Sequence, residues 1–327
     1  MKINVNGILD KVRATIASHY DGNGGYLRWL TTPRGDGKAN EYGCADAANM
    51  KYIMGDLESN PDERKKFYSV LQSFQHEDGL FCEPTHHPIH CTAHCTAALE
   101  LYDVRPLRPF TALENRKTVE GLYELLENLK WREDPWSNSH QGAGIYSAFI
   151  INRDASAEWQ DAYFNWLDEN NDPVTGIGRR DCHDGTRPLF HHLNGWFHYM
   201  FNYNFARRAF PNANKLIDSC IDMFDNGGLN PRIYQYCGFD QIDWVFAINR
   251  ASMQTGYRRE EAKDRMRIFA KNYIEFMQSC PVDDKTWDDL HCLFGSMCVL
   301  AELQIALPGE IISDYPLKPV LDRRPFI

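Results

Sequence analysis

Four histidines and two cysteines fall between His86 and Cys95, inside the stretch EPTHHPIHCTAHCTAALELY that runs from Glu83 to Tyr102. His90 and His94 are four residues apart, so a helix carries both on one face. Imidazoles so spaced can share a metal ion, with Cys182, His183 or Asp181 completing the shell. They can equally contact substrate and move protons near neutral pH. No HExxH pattern accompanies them. The expectation is substrate contact by His90, His94 and, from the next hairpin, His140, with no metal and no resident cofactor.

The second set of candidates is acidic. In CGFDQIDW, Asp240 opens a helix as its N-cap and is placed to contact substrate, while Asp243 lies a turn deeper beside Trp244. A carboxyl group desolvated there has a raised pKa, as a general acid requires. Asp46, in GCADAANMKY, is a lone acid among small apolar residues. Asp243 as acid and Asp46 as its carboxylate partner form the pair that glycoside cleavage needs. Asp288 and Asp289 read as helix caps.

The densest mixture is HHLNGWFHYMFNYNFARR, from His191 to Arg208. Its residue types suit elimination across a uronate, with Asn194 neutralising the substrate carboxylate and His192 or Tyr199 as base. Arg180, next to Arg179, can hold an anionic group. Trp136, Trp196, Trp244 and Trp287 are candidate sugar platforms.

These residues need a scaffold that gathers them, and the sequence supplies a repeat. Gly- and Asp-rich turns start at Asp21, Glu77, Glu133, Asp172, Asp225 and Asp283, spaced 39 to 58 residues apart. Before each lies an amphipathic pattern, clearest in ERKKFYSVLQSFQ, RKTVEGLYELLENLKW and DRMRIFAKNYIEFMQ. After each comes a helix apolar nearly all round, such as HQGAGIYSAFII or LHCLFGSMCVLAEL. Strand signals are weak. The spacing predicts an all-α chain: a single domain over residues 1–327, with six outer and six inner helices in hairpins closed into an (α/α)6 toroid. The inner helices then open on one mouth, where the histidines and acids converge.

The segment VLQSFQHEDGLF, Val70 to Phe81, resembles the helix end and Asp-Gly turn of the terpenoid cyclase and protein prenyltransferase superfamily. The six-hairpin count is similar to that of the (α/α)6 glycosidases and of polysaccharide lyase toroids. The resemblance implies the toroid; it leaves the chemistry open. The acidic DxDD and DDxxD runs of the cyclases are missing, and GFDQIDWVF stands where the prenyltransferases carry a zinc pattern.

Composition narrows the partners. The net charge of −10 and pI near 5.6 argue against nucleic acid. No apolar run is long enough to span a membrane. Ten scattered cysteines read as reduced thiols of a cytoplasmic protein. The absence of GxGxxG, P-loop and GxSxG patterns speaks against nucleotide and serine-hydrolase chemistry. The expected function is a carbohydrate-active enzyme, a glycoside hydrolase or uronate-type lyase acting on an oligosaccharide. The alternatives are a cyclase- or prenyltransferase-like protein with an apolar ligand, or a binding protein without chemistry.

Overall fold

The computed structural model describes residues 2–31 and 34–325. Helices dominate it. Six amphipathic helices, α1 (Asn6–Ser18), α3 (Pro61–Ser73), α5 (Val119–Asn128), α7 (Ala157–Asn170), α9 (Ala213–Asp225) and α11 (Arg259–Ser279), bury one face each. They alternate with six that are buried nearly all round: α2 (Glu41–Met54), α4 (Pro88–Glu100), α6 (Pro135–Asn152), α8 (Leu189–Phe205), α10 (Asp240–Thr255) and α12 (Leu290–Ala306). The alternation follows the hydrophobic pattern, because a helix without a polar face has to be enclosed by others. A short α13 (Val320–Arg323) follows. Among the described residues the sheet is limited to β1 (Ile3–Asn4) paired in parallel with β2 (Ile311–Ile312).

Helix starts are set locally. Asn60 caps α3 ahead of Pro61, His87 caps α4 ahead of Pro88, and Asp134 caps α6 ahead of Pro135. Proline suits the first turn because its missing N–H would be unpaired there anyway. Asp289 caps α12, as expected. Asp240 does not cap α10: that position is Phe239, and the Asp240 carboxylate is engaged elsewhere.

The buried helices contact one another in cyclic order: α2 with α4, α4 with α6, α6 with α8, α8 with α10, α10 with α12, and α12 back to α2. Small residues permit the approach. A Cβ on Gly195 of α8 would lie 2.6 Å from the Pro135 carbonyl oxygen at the start of α6.

The C-terminal segment crosses this arrangement. α13 packs against both α2 and α8. Asp322 bonds Asn204 of α8 at 2.9 Å and Arg250 of α10 at 2.8 Å. Arg324 reaches Asn49 of α2 and the Ala97 carbonyl of α4, and Ser147 of α6 donates to the Pro325 carbonyl. Arg250 in turn pairs with Glu302 of α12. Every one of these partners lies in the C-terminal half of its helix. One end of the buried bundle is therefore occupied by residues 320–325, and the N-terminal halves of the helices are left at the other.

Candidate active site

A shared register locates the polar residues above that segment. Tyr42 is seven residues before Asn49, His90 seven before Ala97, His140 seven before Ser147 and Asp243 seven before Arg250. Seven residues are two turns, about 10 Å of rise, so each lies on the same face as a residue touching the C-terminal segment or paired with it. Four helices thus present a tyrosine, two imidazoles and a carboxyl group at one level.

The imidazoles form a contiguous cluster. The His86 ring lies 4.8 Å from His90 and 5.2 Å from His140, and His90 lies 4.4 Å from His140. Trp136 meets His140 edge-on at 4.3 Å, and Tyr42 stacks on His86 at 4.7 Å. Tyr42 Oη is 2.5 Å from His90 Nδ1, and Ser139 Oγ is 2.8 Å from His198 Nδ1. Burial, reinforced by the neighbouring rings, holds His90 and His140 well below the ordinary histidine pKa, and brings His198 down to about 3. The cluster is neutral at physiological pH, so the rings are available as bases, hydrogen-bonding groups or metal ligands.

Beside it, Asp46 is not the lone acid that its sequence surroundings imply. Its Oδ1 accepts from His94 Nε2 at 2.8 Å and His291 Nδ1 at 3.0 Å. Burial alone would raise its pKa; His291 and His94 reverse that and keep it below the usual carboxylate range. Burial lowers His291 to about 4, so at neutral pH it gives Asp46 an N–H bond rather than a full charge. Because the carboxylate only accepts, His291 carries its proton on Nδ1 and has a lone pair on Nε2.

Asp243 has the opposite environment. It is buried, neither oxygen has a hydrogen-bond partner, and burial with the nearby Asp240 charge pushes its pKa far up. Asp240 is held by Asn194 at 2.5 Å, and by Asn230 and Tyr236. Asn194, read from sequence as a carboxylate neutraliser, is thus already occupied with a carboxylate of the protein itself.

Above the histidines, Arg28 bonds Asp289 at 2.9 Å and Thr85 at 2.8 Å and lies 3.4 Å from Glu83. Glu83 in turn meets Thr85 at 2.5 Å and His86 Nδ1 at 3.4 Å.

Several expected residues lie elsewhere. His192 packs edge-on against His183 at 4.4 Å, and His183 meets the Ile177 carbonyl at 2.6 Å. Tyr199 stacks between Trp131 and Trp196, at 5.1 and 5.5 Å. Trp244 donates to the Cys220 carbonyl at 3.0 Å and stacks on Phe224. Trp287 is buried with the Lys11 ammonium 5.9 Å from its ring. Arg180 lines a separate surface cavity of about 380 Å³ together with Asp181 and Cys182. The reason is angular: a helix turns about 100° per residue, so the neighbour of an inward residue points into the core or outward. Trp196 and Tyr199 flank His198, and Trp244 follows Asp243. Of the four tryptophans, Trp136 alone borders the imidazoles. His90 and His94 also part company, each joining a different group of possible ligands, and Cys182, His183 and Asp181 join neither.

Tyr42, Arg28, Glu83, Ser139 and His291 belong to the site without having been assigned roles from sequence. Tyr42 carried a signal, four residues before Asp46 on one helix face. Arg28 carried none: its partner Asp289 is 261 residues away.

No protein-family model matches the chain, and neither does any curated protein or solved structure compared with it. The functional reading therefore rests on the residues alone.

Proposed function

We propose that the chain is an (α/α)6 toroid and a carbohydrate-active enzyme, a glycoside hydrolase taking an oligosaccharide at the N-terminal ends of its inner helices. The cyclic order of helix contacts supports the toroid. One observation carries the chemistry: two buried carboxyl groups on inner helices are driven apart in protonation, Asp243 kept neutral and Asp46 kept charged. Such a divergence is how acid and base roles are divided between like groups at one pH.

In this reading Asp243 gives its proton to the leaving glycosidic oxygen. Asp46 Oδ1 is occupied by two imidazoles, so Asp46 acts as a positioning residue. It fixes the tautomer of His291, whose Nε2 takes the proton from attacking water. Trp136 offers the sugar an aromatic face. Hydrolysis fits better than uronate elimination, because the mouth's cation, Arg28, is already matched by Asp289 and Glu83. The imidazole-rich lining also suits a hydroxylated ligand better than the apolar ligand of a cyclase. Ten unpaired cysteines fit a reducing, cytoplasmic setting.

The test is a panel of reducing-end-labelled oligosaccharides incubated with wild type and Asp243→Asn, followed by chromatography and by absorbance near 235 nm. Cleavage without new absorbance, lost in the variant, is expected. Rising absorbance would make the enzyme a lyase. Inert sugars together with stoichiometric binding of a hydrophobic probe would overturn the reading.

A further inference from the structure

His86, His90 and His140 each offer one ligand atom, and the three atoms lie within 4.8 Å of one another. His140 is 2 % exposed, and its Nε2 has no hydrogen-bond partner. A buried polar nitrogen left unpaired costs free energy unless something absent from the protein chain meets it. The two other rings are held from behind by oxygens: His86 Nδ1 by Thr85 at 2.8 Å and Glu83 at 3.4 Å, His90 Nδ1 by Tyr42 at 2.5 Å. That is how ligating imidazoles are oriented in metal sites, with one nitrogen on a carboxylate or hydroxyl and the other toward the ion.

We propose that His86, His90 and His140 bind a divalent late first-row transition ion, zinc foremost, with a coordination position left for water or substrate. Three imidazoles from two different helical hairpins match the ligand type and number of a catalytic zinc centre. The neighbouring group of Asp46, His94 and His291 is unlike it, because His94 Nε2 and His291 Nδ1 are already spent on the Asp46 carboxylate. The site goes beyond the glycosidase reading and does not depend on it.

Untagged protein, purified without chelator, is analysed by inductively coupled plasma mass spectrometry. About one zinc per chain is expected, as for a three-imidazole centre. His140→Ala and His86→Ala are expected to lose it, and His192→Ala, outside the cluster, to keep it; circular dichroism and thermal melting check each fold. Adding Co²⁺ to chelator-stripped protein is expected to give the visible bands of four-coordinate cobalt, absent from both ligand variants. Glu83→Gln, a positioning change, is expected to weaken zinc about 10–100-fold. Zinc-free wild type that also gives no cobalt bands overturns the site, as does full zinc retention by folded His140→Ala. Should His140→Ala fail to fold, His86, in the loop ahead of α4, decides the matter through its own variant. Sugar cleavage by a protein that never binds zinc removes this site and leaves the hydrolase; zinc binding without cleavage does the reverse.

Discussion

Arg250 and Asp322 form an ion pair 2.8 Å long that ties α10 to the C-terminal segment. The same guanidinium bonds Glu302 through two nitrogens, at 2.6 and 2.7 Å. Arg250→Ala would strand the Glu302 carboxylate, which is 3 % exposed. Leaving one member of a buried pair alone costs about 3–5 kcal/mol. Urea denaturation is expected to show a loss of that order. Asp322→Asn should cost less, because its side chain is 30 % exposed and water screens it. Equal losses in the two variants would contradict the assignment.

Asp243→Asn should separate stability from activity. The folded pKa of Asp243 is raised, so its neutral form supports the fold fully below the unfolded value near 3.8, and that support is lost as pH rises toward the folded value. Asparagine has no such dependence. The variant is expected to be more stable than wild type at pH 7 and to lose that advantage at pH 4, read as melting temperatures. Its sugar-cleaving rate should fall about 10²–10⁴-fold, the usual worth of a general acid. A stability difference that ignores pH would show that Asp243 does not titrate as proposed.

Asp46→Asn removes the charge facing His94 and His291 while leaving one acceptor oxygen. Both imidazole N–H groups can keep that oxygen, which they already share, and the new amide nitrogen takes the place of Oδ2, which has no hydrogen-bond partner; a buried donor left unpaired there costs about 1–3 kcal/mol. The rate constant kcat should drop with little change in KM if, as proposed, Asp46 acts through His291 and not on substrate. An increase in KM at unchanged kcat would place Asp46 in direct contact with the sugar instead.

Trp136 and Trp244 should part ways on truncation. Trp136→Ala is expected to raise KM with modest effect on melting, since Trp136 is half-buried beside His140. Trp244→Ala empties a core position packed by Phe224 and Phe269 and should cost about 3–5 kcal/mol of stability. Titration of both variants with oligosaccharide, alongside thermal melting, checks the pair. Matching effects from the two would refute the different roles assigned to these positions.

The helical plan was legible because it is written in short-range chemistry. Amphipathic α3, α5 and α11 and the all-round apolar α6 and α12 announce themselves through spacing, and Pro61, Pro88 and Pro135 mark helix starts through backbone geometry. The sequence also singled out His90, His94, His140, Asp46 and Asp243, since polar groups inside apolar helices are costly to keep. Only tertiary structure decided how they combine. Whether Asp46 is solitary or bound depends on His291, 245 residues away, and whether Asn194 is free for substrate depends on Asp240, on another helix. Helix periodicity defines a face, but what that face meets is set by how neighbouring helices pack and by where residues 320–325 run. Trp196, Tyr199, Trp244 and His192 look like site residues by type; a rotation of one or two positions about their helices sends them into other packing. Side-chain type is a property of the chain, whereas direction and partner are properties of the packed whole, because burial energy is shared among residues that no local pattern connects.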